Sequence, residues 1–482
     1  MGRHKKSTPV LRHNGTGLLI KEQEASYITS NIGVVFSKTL RKRDFYSPSE
    51  INELFKSKKI DKEWSFIEYK PSDTSKLTHC YHRYPAKFIP QLVERLMDKY
   101  LEGIDEPYVN DLFMGSGTTI ACAISRGYRA SGTDINYISE LITRVKSTPI
   151  SPTFLNKKIE KLLLDLSFLE SLDLYSDPSI KPYIPETNID RIDYWFKPEV
   201  KAELGIILAR IKEEPNIGIR NFLMVCFSHI LKTVSIWLMG STKPTRDFNK
   251  KTQKPFICFK RHLRKMEKRN KEFWNIVPEH IRDNLGAYLN IKRGDARKQP
   301  VDDETVDIQI TSSPYVTSYE YADLHQLSTL WLEYSSDLSE YRKEFIGTAY
   351  KKYEDRHLKS KIAQSIVNQM TLKDKKMAKE IEAFFIDMQE CFDETYRILK
   401  YDGRCCYVIG NTALRKVEIL NAEVFAESMQ YSGLVIDRII KREIPSKILP
   451  QKRDAETGRF AKNGEEDFHA YPTEYIVIGR KM

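Results

Sequence analysis

The stretch YVNDLFMGSGTTIACAISRGYRASGTDI, residues 108–135, decides the fold. Its opening, residues 108–113, is short and largely apolar, the pattern of a buried strand. Gly115 and Gly117 then flank a single serine. The small-residue run TTIACAISRG follows as a helix ending at Gly127, and residues 128–135 read as a second strand. Strand, glycine turn, helix, strand is a βαβ unit and implies a parallel sheet. Glycines let a backbone approach a ligand closely, and a helix N-terminus offers free N–H groups to an anion. Asp134, at the end of the second strand, is placed to accept both hydroxyl protons of a ribose diol. No G-K-[ST] follows, so the turn is not a phosphate P-loop. Ile120 fills the third glycine position of a dinucleotide fingerprint. A Gly-x-Gly pair alone is usually only a tight turn. With a strand before it, a helix after it and a spaced aspartate, it reads as a nucleoside-type cofactor site.

Upstream, AKFIPQLVERLMDKY (86–100) sets Phe88, Leu92, Val93, Leu96 and Met97 on one helical face. Downstream, about 150–288 is dominated by helical periodicity and carries a basic stretch, the pattern of an inserted helical subdomain. Strand patterns return at 287–294, 304–312, 406–411, 434–443 and 474–481, with helices expected over about 320–400 and 415–431. The long polar connection between the last two strands is a candidate functional loop. The expected domains are an N-terminal extension (1–70), a catalytic domain (71–149 with 289–482) and the helical insertion (150–288).

Composition narrows the class. The 482 residues are 41% hydrophobic and 30% charged, with net charge +11. No run of 18 apolar residues marks a membrane span. The basic N-terminus lacks a signal peptide's apolar stretch, and Gly2 lacks the hydroxyl residue of a myristoylation signal. The seven cysteines show no C-x-x-C pair, which argues against a disulfide framework or a zinc site and for buried thiols in a cytoplasmic protein. The positive balance favours a polyanionic partner.

A second chemical signal is Thr311-Ser312-Ser313-Pro314-Tyr315, directly after the apolar strand VDIQI. An amino group on a nucleobase is a poor nucleophile, because its lone pair is delocalised into the ring. Acceptors that hold the amine and draw it toward tetrahedral geometry make it better. The Ser312 hydroxyl and the Ser313 carbonyl can serve so, Pro314 stiffens the corner, and Tyr315 can stack on a base taken out of the duplex. As an isolated peptide this would be an ordinary turn.

Together, DLFMGSGTT (111–119), Asp134 and TSSPY (311–315) resemble the amino-methyltransferases of restriction–modification systems, the N6-adenine and N4-cytosine DNA methyltransferases. The serine form of the catalytic motif resembles the N4-cytosine branch. HCYHRYPAKF (79–88), Gly294-Asp295-Ala296 and the Arg397–Gly403 turn are similar to further elements of that family. The resemblance implies an α/β, Rossmann-like S-adenosylmethionine-dependent methyltransferase fold, with a mixed, mainly parallel seven-stranded sheet and a large helical insertion. It implies S-adenosylmethionine as cofactor and no metal, because the sulfonium is already activated. By position, Asp111, Phe113, Gly115 and Gly117 would line the cofactor. Thr118 and Thr119 would meet its carboxylate, Asp134 its ribose and Asp295 its adenine, with His79 and Lys87 as further contacts. Ser312, Ser313, Pro314 and Tyr315 would be catalytic. Leu112 and Ser313 replace prolines of the family pattern.

The partner expected is double-stranded DNA, with a restriction endonuclease acting separately and no membrane. KTQKPFICFKRHLRKMEKRNKEFW (251–274) interleaves cations with aromatics. Such a run is usually a solvated helix face. Within a DNA enzyme, Lys260, Arg261, Arg264, Lys265, Lys268 and Arg269 become phosphate contacts, with Lys243, Arg246 and Lys250 just upstream. Lys447, Lys452 and Arg453 in the 444–470 loop are a third candidate region, and Tyr319 and His325 would border the base. The expected activity is transfer of a methyl group to N4 of cytosine in duplex DNA. The alternatives are N6-adenine methylation, methylation of RNA, and a non-catalytic nucleic-acid-binding module that kept the fold.

Overall fold

The computed structural model describes residues 45–84, 88–170, 180–241, 244–316, 321–347, 356–444, 452–454, 467–469 and 473–482. Seven strands form its central sheet: β1 (Tyr108–Asp111), β2 (Arg129–Asp134), β3 (Leu289–Arg293), β4 (Val306–Ser312), β5 (Leu399–Ile409), β6 (Leu434–Glu443) and β7 (Thr473–Lys481). Their order is β3-β2-β1-β4-β5-β7-β6. The first five run parallel, and β7 is antiparallel to both of its neighbours. This is the mixed, mainly parallel α/β sheet that the motifs imply. Its central strands are covered on both faces, so every residue of β1 and five of the seven in β4 are buried, polar ones included.

Helix α1 is Pro48–Lys56, α2 Pro90–Tyr100, α3 Thr118–Ser125 and α4 Tyr137–Ser147. On α2, Leu92, Val93, Leu96 and Met97 are fully buried, as the periodicity requires. Only small residues and one isoleucine precede Ile124 on α3, so that helix sinks almost entirely into the core.

Between α4 and β3 lie four long helices: α5 (Pro152–Glu170), α6 (Pro198–Lys212), α7 (Ile217–Val234) and α8 (Pro255–Ile276). They share one core containing Leu155, Ile159, Leu204, Ile207, Phe222, Phe227, Phe259 and Leu263. Among the described residues α7 alone is long and apolar enough to cross a membrane. Here it is a largely buried helix of this core. That core is continuous with α4 through Ile138, Leu141 and Ile142, so the helical body is fused to the catalytic sheet.

Some boundaries differ from the sequence reading, among them α2, which starts at Pro90 rather than 86, and β5, which starts at Leu399 rather than 406. Residues 412–419 form a small hairpin, Thr412–Leu414 with Val417–Ile419, and the helix begins only at Asn421 (α9, Asn421–Tyr431). Residues 45–70 are not a separate extension. Phe55 of α1 packs edge-on against Tyr475 of β7 at 5.2 Å, and Ile60 bridges to Lys441 of β6. All seven cysteines are buried, and none forms a disulfide among the described residues.

Candidate active site

Because β1, β2, β3 and β4 are parallel, their carboxyl ends share one edge of the sheet. β1 delivers Asp111, β2 Asp134, β3 the Gly294-Asp295 pair, and β4 the Ser-Ser-Pro-Tyr corner. The glycine turn and that corner, almost two hundred residues apart in sequence, are tied directly. Thr311 donates from its hydroxyl to Asp111 Oδ1 at 2.7 Å, and Thr119 donates to the Ile310 carbonyl at 3.1 Å.

Gly115 and Gly117 both have positive φ, +47° and +70°. A Cβ on Gly115 would lie 3.2 Å from the Tyr84 ring, and one on Gly117 would lie 2.7 Å from the Thr143 side chain. Each is therefore glycine for conformation and for space. Gly117 is also the N-cap of α3. With no side chain capping it, that helix begins with N–H groups open to a ligand. The turn is held from behind by α4. Thr143 donates to the Gly115 carbonyl at 3.2 Å, and the fully buried Lys146 ammonium donates to the Ser116 carbonyl.

Asp134 accepts from the backbone N–H groups of Gly115 and Asn136, each at 2.9 Å. Burial pushes its carboxyl up to about 6 against those bonds. Asp111 is fully buried and accepts from Thr311 and from the Phe113 N–H. Burial outweighs these bonds too and raises it to about 7. Two raised carboxyls at one strand edge mark a functional-site candidate.

At the corner, Ser312 is half-buried and Ser313 is buried, its hydroxyl without a hydrogen-bond partner among the described residues. Tyr315 is half-buried, its ring edge against Gly410 and its hydroxyl 3.5 Å from Glu474 Oε2. Glu474 is in turn paired with the buried Arg442 at 2.8 Å. The phenol is thus steered from β7, leaving Pro314 and Ser312 at the rim.

Several expected ligands are placed differently. Thr119 is wholly buried and spends its hydroxyl on β4, so its side chain braces α3 instead of meeting a ligand. Ser116 and Thr118 hydroxyls lie 3.4 Å apart at the helix start. His79 is buried against Cys122 of α3 at 3.8 Å, because residues 77–80 form a turn packed on that helix. Tyr84 is the residue of that segment that reaches the glycine turn, with its hydroxyl 3.0 Å from Ser139. Asp295 lies just beyond β3, where the Gly294 N–H bonds the Asp134 carbonyl, but both its oxygens are engaged by Arg297. Lys87, Lys243, Tyr319 and Lys447 lie outside the described residues, as do the side chains of Lys452 and Arg453.

Tyr84, Thr143 and Lys146 were missed by sequence reasoning. Tyr84 stood inside a stretch already singled out. Thr143 and Lys146 gave no signal, since on a helix they read as solvated positions. Behind Tyr84 stands a buried histidine group. His325 is 4.8 Å from the Tyr84 ring, His82 bonds Ser228 at 2.8 Å, and His229 stacks on His262 at 3.6 Å. Burial lowers all four, His82 to about 3 and His262 and His325 to about 4.

On α8, Lys260, Arg261, Lys265 and Lys268 are exposed. Arg264 and Arg269 are not available as expected. Arg264 is paired with Glu160 of α5 and with Glu267, and Arg269 with Glu272, so local carboxylates neutralise both.

A family model described as DNA methylase matches residues 20–143. The type II methyltransferase M.MvaI of Kocuria varians is 29% identical over 419 residues, covering 82% of this chain and 90% of that protein. The type II methyltransferase M.MjaII of Methanocaldococcus jannaschii is 22% identical over 411 residues, covering 64% of this chain and 75% of its own length. Among solved structures, geranyl diphosphate C-methyltransferase from Streptomyces coelicolor A3(2) is 8% identical, covering 82% of this chain and 80% of that one, with a TM-score of 0.29.

Proposed function

We propose, on the premise that this chain belongs to the restriction–modification amino-methyltransferases of DNA, that it transfers a methyl group from S-adenosylmethionine to N4 of cytosine in duplex DNA. The observation that carries this reading is the Asp111–Thr311 hydrogen bond. It locks a nucleoside-binding turn and an amine-holding corner to one edge of the sheet.

The residues present fit the cofactor. Asp134 would hold the ribose hydroxyls, and the open N–H groups of α3 would face the carboxylate. Phe113, Gly115 and Gly117 would line the cofactor, and Asp295, held by Arg297 on both oxygens, would meet the adenine amino group through a remaining lone pair. When bound, S-adenosylmethionine supplies a methyl group made electrophilic by its sulfonium. The protein's own contribution is orientation. The Ser312 hydroxyl and the Ser313 carbonyl accept the amino N–H bonds of a flipped base and keep its nitrogen in line. Pro314 holds that carbonyl in place, and Tyr315 stacks on the base. The exposed cations of α8 contact phosphates, giving affinity without sequence choice. The enzyme would act in the cytoplasm beside a separate endonuclease of matching specificity.

The serine in the catalytic motif favours cytosine over adenine. The test is incubation with methyl-labelled cofactor and plasmid DNA, then digestion to nucleosides. N4-methylcytosine is expected. N6-methyladenine would reassign the base and leave the machinery intact. Label appearing only in tRNA, or cofactor binding with no transfer to any nucleic acid, would overturn the proposal.

A further inference from the structure

Beyond α7 the chain turns back on itself as a braced hairpin. Leu238 donates to the Thr245 carbonyl at 2.9 Å, and Asp247 to the Ile236 carbonyl at 2.7 Å. Trp237 stacks on Trp195 at 5.0 Å. Lys250 donates to the carbonyls of Lys232 and Trp237, each at 2.8 Å. On this frame the Arg246 guanidinium lies between two rings, 4.1 Å from Tyr194 and 4.3 Å from Phe248. Both rings are exposed, Phe248 by 70%. No carboxylate pairs with Arg246 among the described residues. The one acid within the hairpin, Asp247, accepts instead from the Asn249 N–H.

We propose that this Tyr194–Arg246–Phe248 clamp is a preformed contact for duplex DNA, resting on the reading of the chain as a DNA methyltransferase. A guanidinium held flat between rings loses little freedom on binding, and its planar fork suits phosphate or a base edge. The stack itself contributes about 0.5–1 kcal/mol at an exposed site, but it leaves the guanidinium's charge without a countercharge in the free protein. Charge complementarity names the occupant. Exposed Lys251 and Lys254 continue the surface from Arg246 to Lys260, Arg261, Lys265 and Lys268 on α8. The clamp's hairpin follows α7, the helix that braces the segment over the glycine turn. Ser228 of α7 holds His82, two residues before the Tyr84 that covers Gly115. From Ser228 to the end of α7 the helix rises only about 9 Å.

The test measures binding of a labelled mixed-sequence duplex by fluorescence anisotropy across salt concentrations, using the full chain. Arg246→Ala is expected to weaken binding about tenfold and to lower the log–log salt slope by about one. Phe248→Ala, which removes one jaw at the surface, should weaken it about threefold. Arg246→Lys should recover only part of the loss, because lysine keeps the charge without the flat stack. Cofactor affinity and the unfolding midpoint should not move in any variant. Arg246→Ala within twofold of wild type overturns the proposal, and so does Arg246→Lys equal to wild type. Loss of poly-glutamate binding with duplex binding intact would assign the surface to an acidic protein and overturn it too. Wild type that labels plasmid DNA while Arg246→Ala binds and labels equally sinks the clamp alone. Wild type that labels no DNA sinks the methylation reading, and the anisotropy series still decides the clamp.

Discussion

In the proposed site, Asp134 is the residue on which cofactor binding would depend most. A hydrogen bond to a charged group contributes about 1.5–3 kcal/mol, so Asp134→Asn should weaken S-adenosylmethionine binding roughly ten- to a hundredfold by calorimetry. The pH dependence has a definite sign. The carboxyl, raised to about 6, is ionised above that value and would then accept both ribose protons under the proposed reading. Below it, affinity should fall by about tenfold per pH unit, and Asp134→Asn should lose that dependence. An affinity flat to about pH 5 would remove Asp134 from the ribose. Ser313 offers a contrasting case. Its buried hydroxyl has no partner among the described residues, and its assigned role uses only the backbone carbonyl. Ser313→Ala should keep methylation and stabilise the fold by about 1 kcal/mol in denaturant titration. Lost methylation with an intact fold would show that the hydroxyl itself holds substrate.

At the level of elements, the glycine turn is shaped by the helix behind it. Thr143 and Lys146, one turn apart on α4, hold the Gly115 and Ser116 carbonyls. Replacing Lys146 by methionine keeps much of the buried stem but leaves the Ser116 carbonyl without that donor. The expected result is cofactor affinity lowered by about tenfold, with turnover at saturating cofactor largely retained. Equal losses in affinity and turnover, or none in either, would deny Lys146 this positioning role. The same logic explains Arg264 and Arg269. Their charge pattern on α8 promised phosphate contacts, but Glu160 arrives from α5 and Glu267 and Glu272 lie one turn along.

For the whole molecule, the joint between helical body and sheet is where acid should act. His82, His262 and His325 are buried and His229 is largely so where the bodies meet; burial lowers all four, and Arg83 and Lys265 lower His229 and His262 further. In the unfolded chain they take up protons near the ordinary 6.5. Their contribution is therefore complete above that value and is lost as pH falls from there toward about 4. Each costs up to about 1.4 kcal/mol per pH unit in that window. Asp111 and Asp134, raised to about 7 and about 6, act in the opposite direction and offset part of the loss. Denaturant midpoints should fall between about pH 7 and about pH 5, and His229→Phe should flatten the fall. Stability constant or rising over that interval would count against the histidine group.

Most of the sheet, and the residue types of the candidate site, could be read from local sequence pattern alone. A glycine turn, a spaced aspartate and a strand-end Ser-Ser-Pro-Tyr are local patterns, set by backbone conformation and by side-chain periods of about two and 3.6 residues. Those periods survive in one dimension, which is why β6 spans residues 434–443 as read. Only the tertiary structure decided who stands beside whom. Thr119 turned to β4, Tyr84 replaced His79 at the glycine turn, Arg297 engaged Asp295, and residues 45–70 joined the sheet. A buried polar group takes its partner from whatever segment packing brings within about 3 Å, and that segment can lie anywhere along the chain.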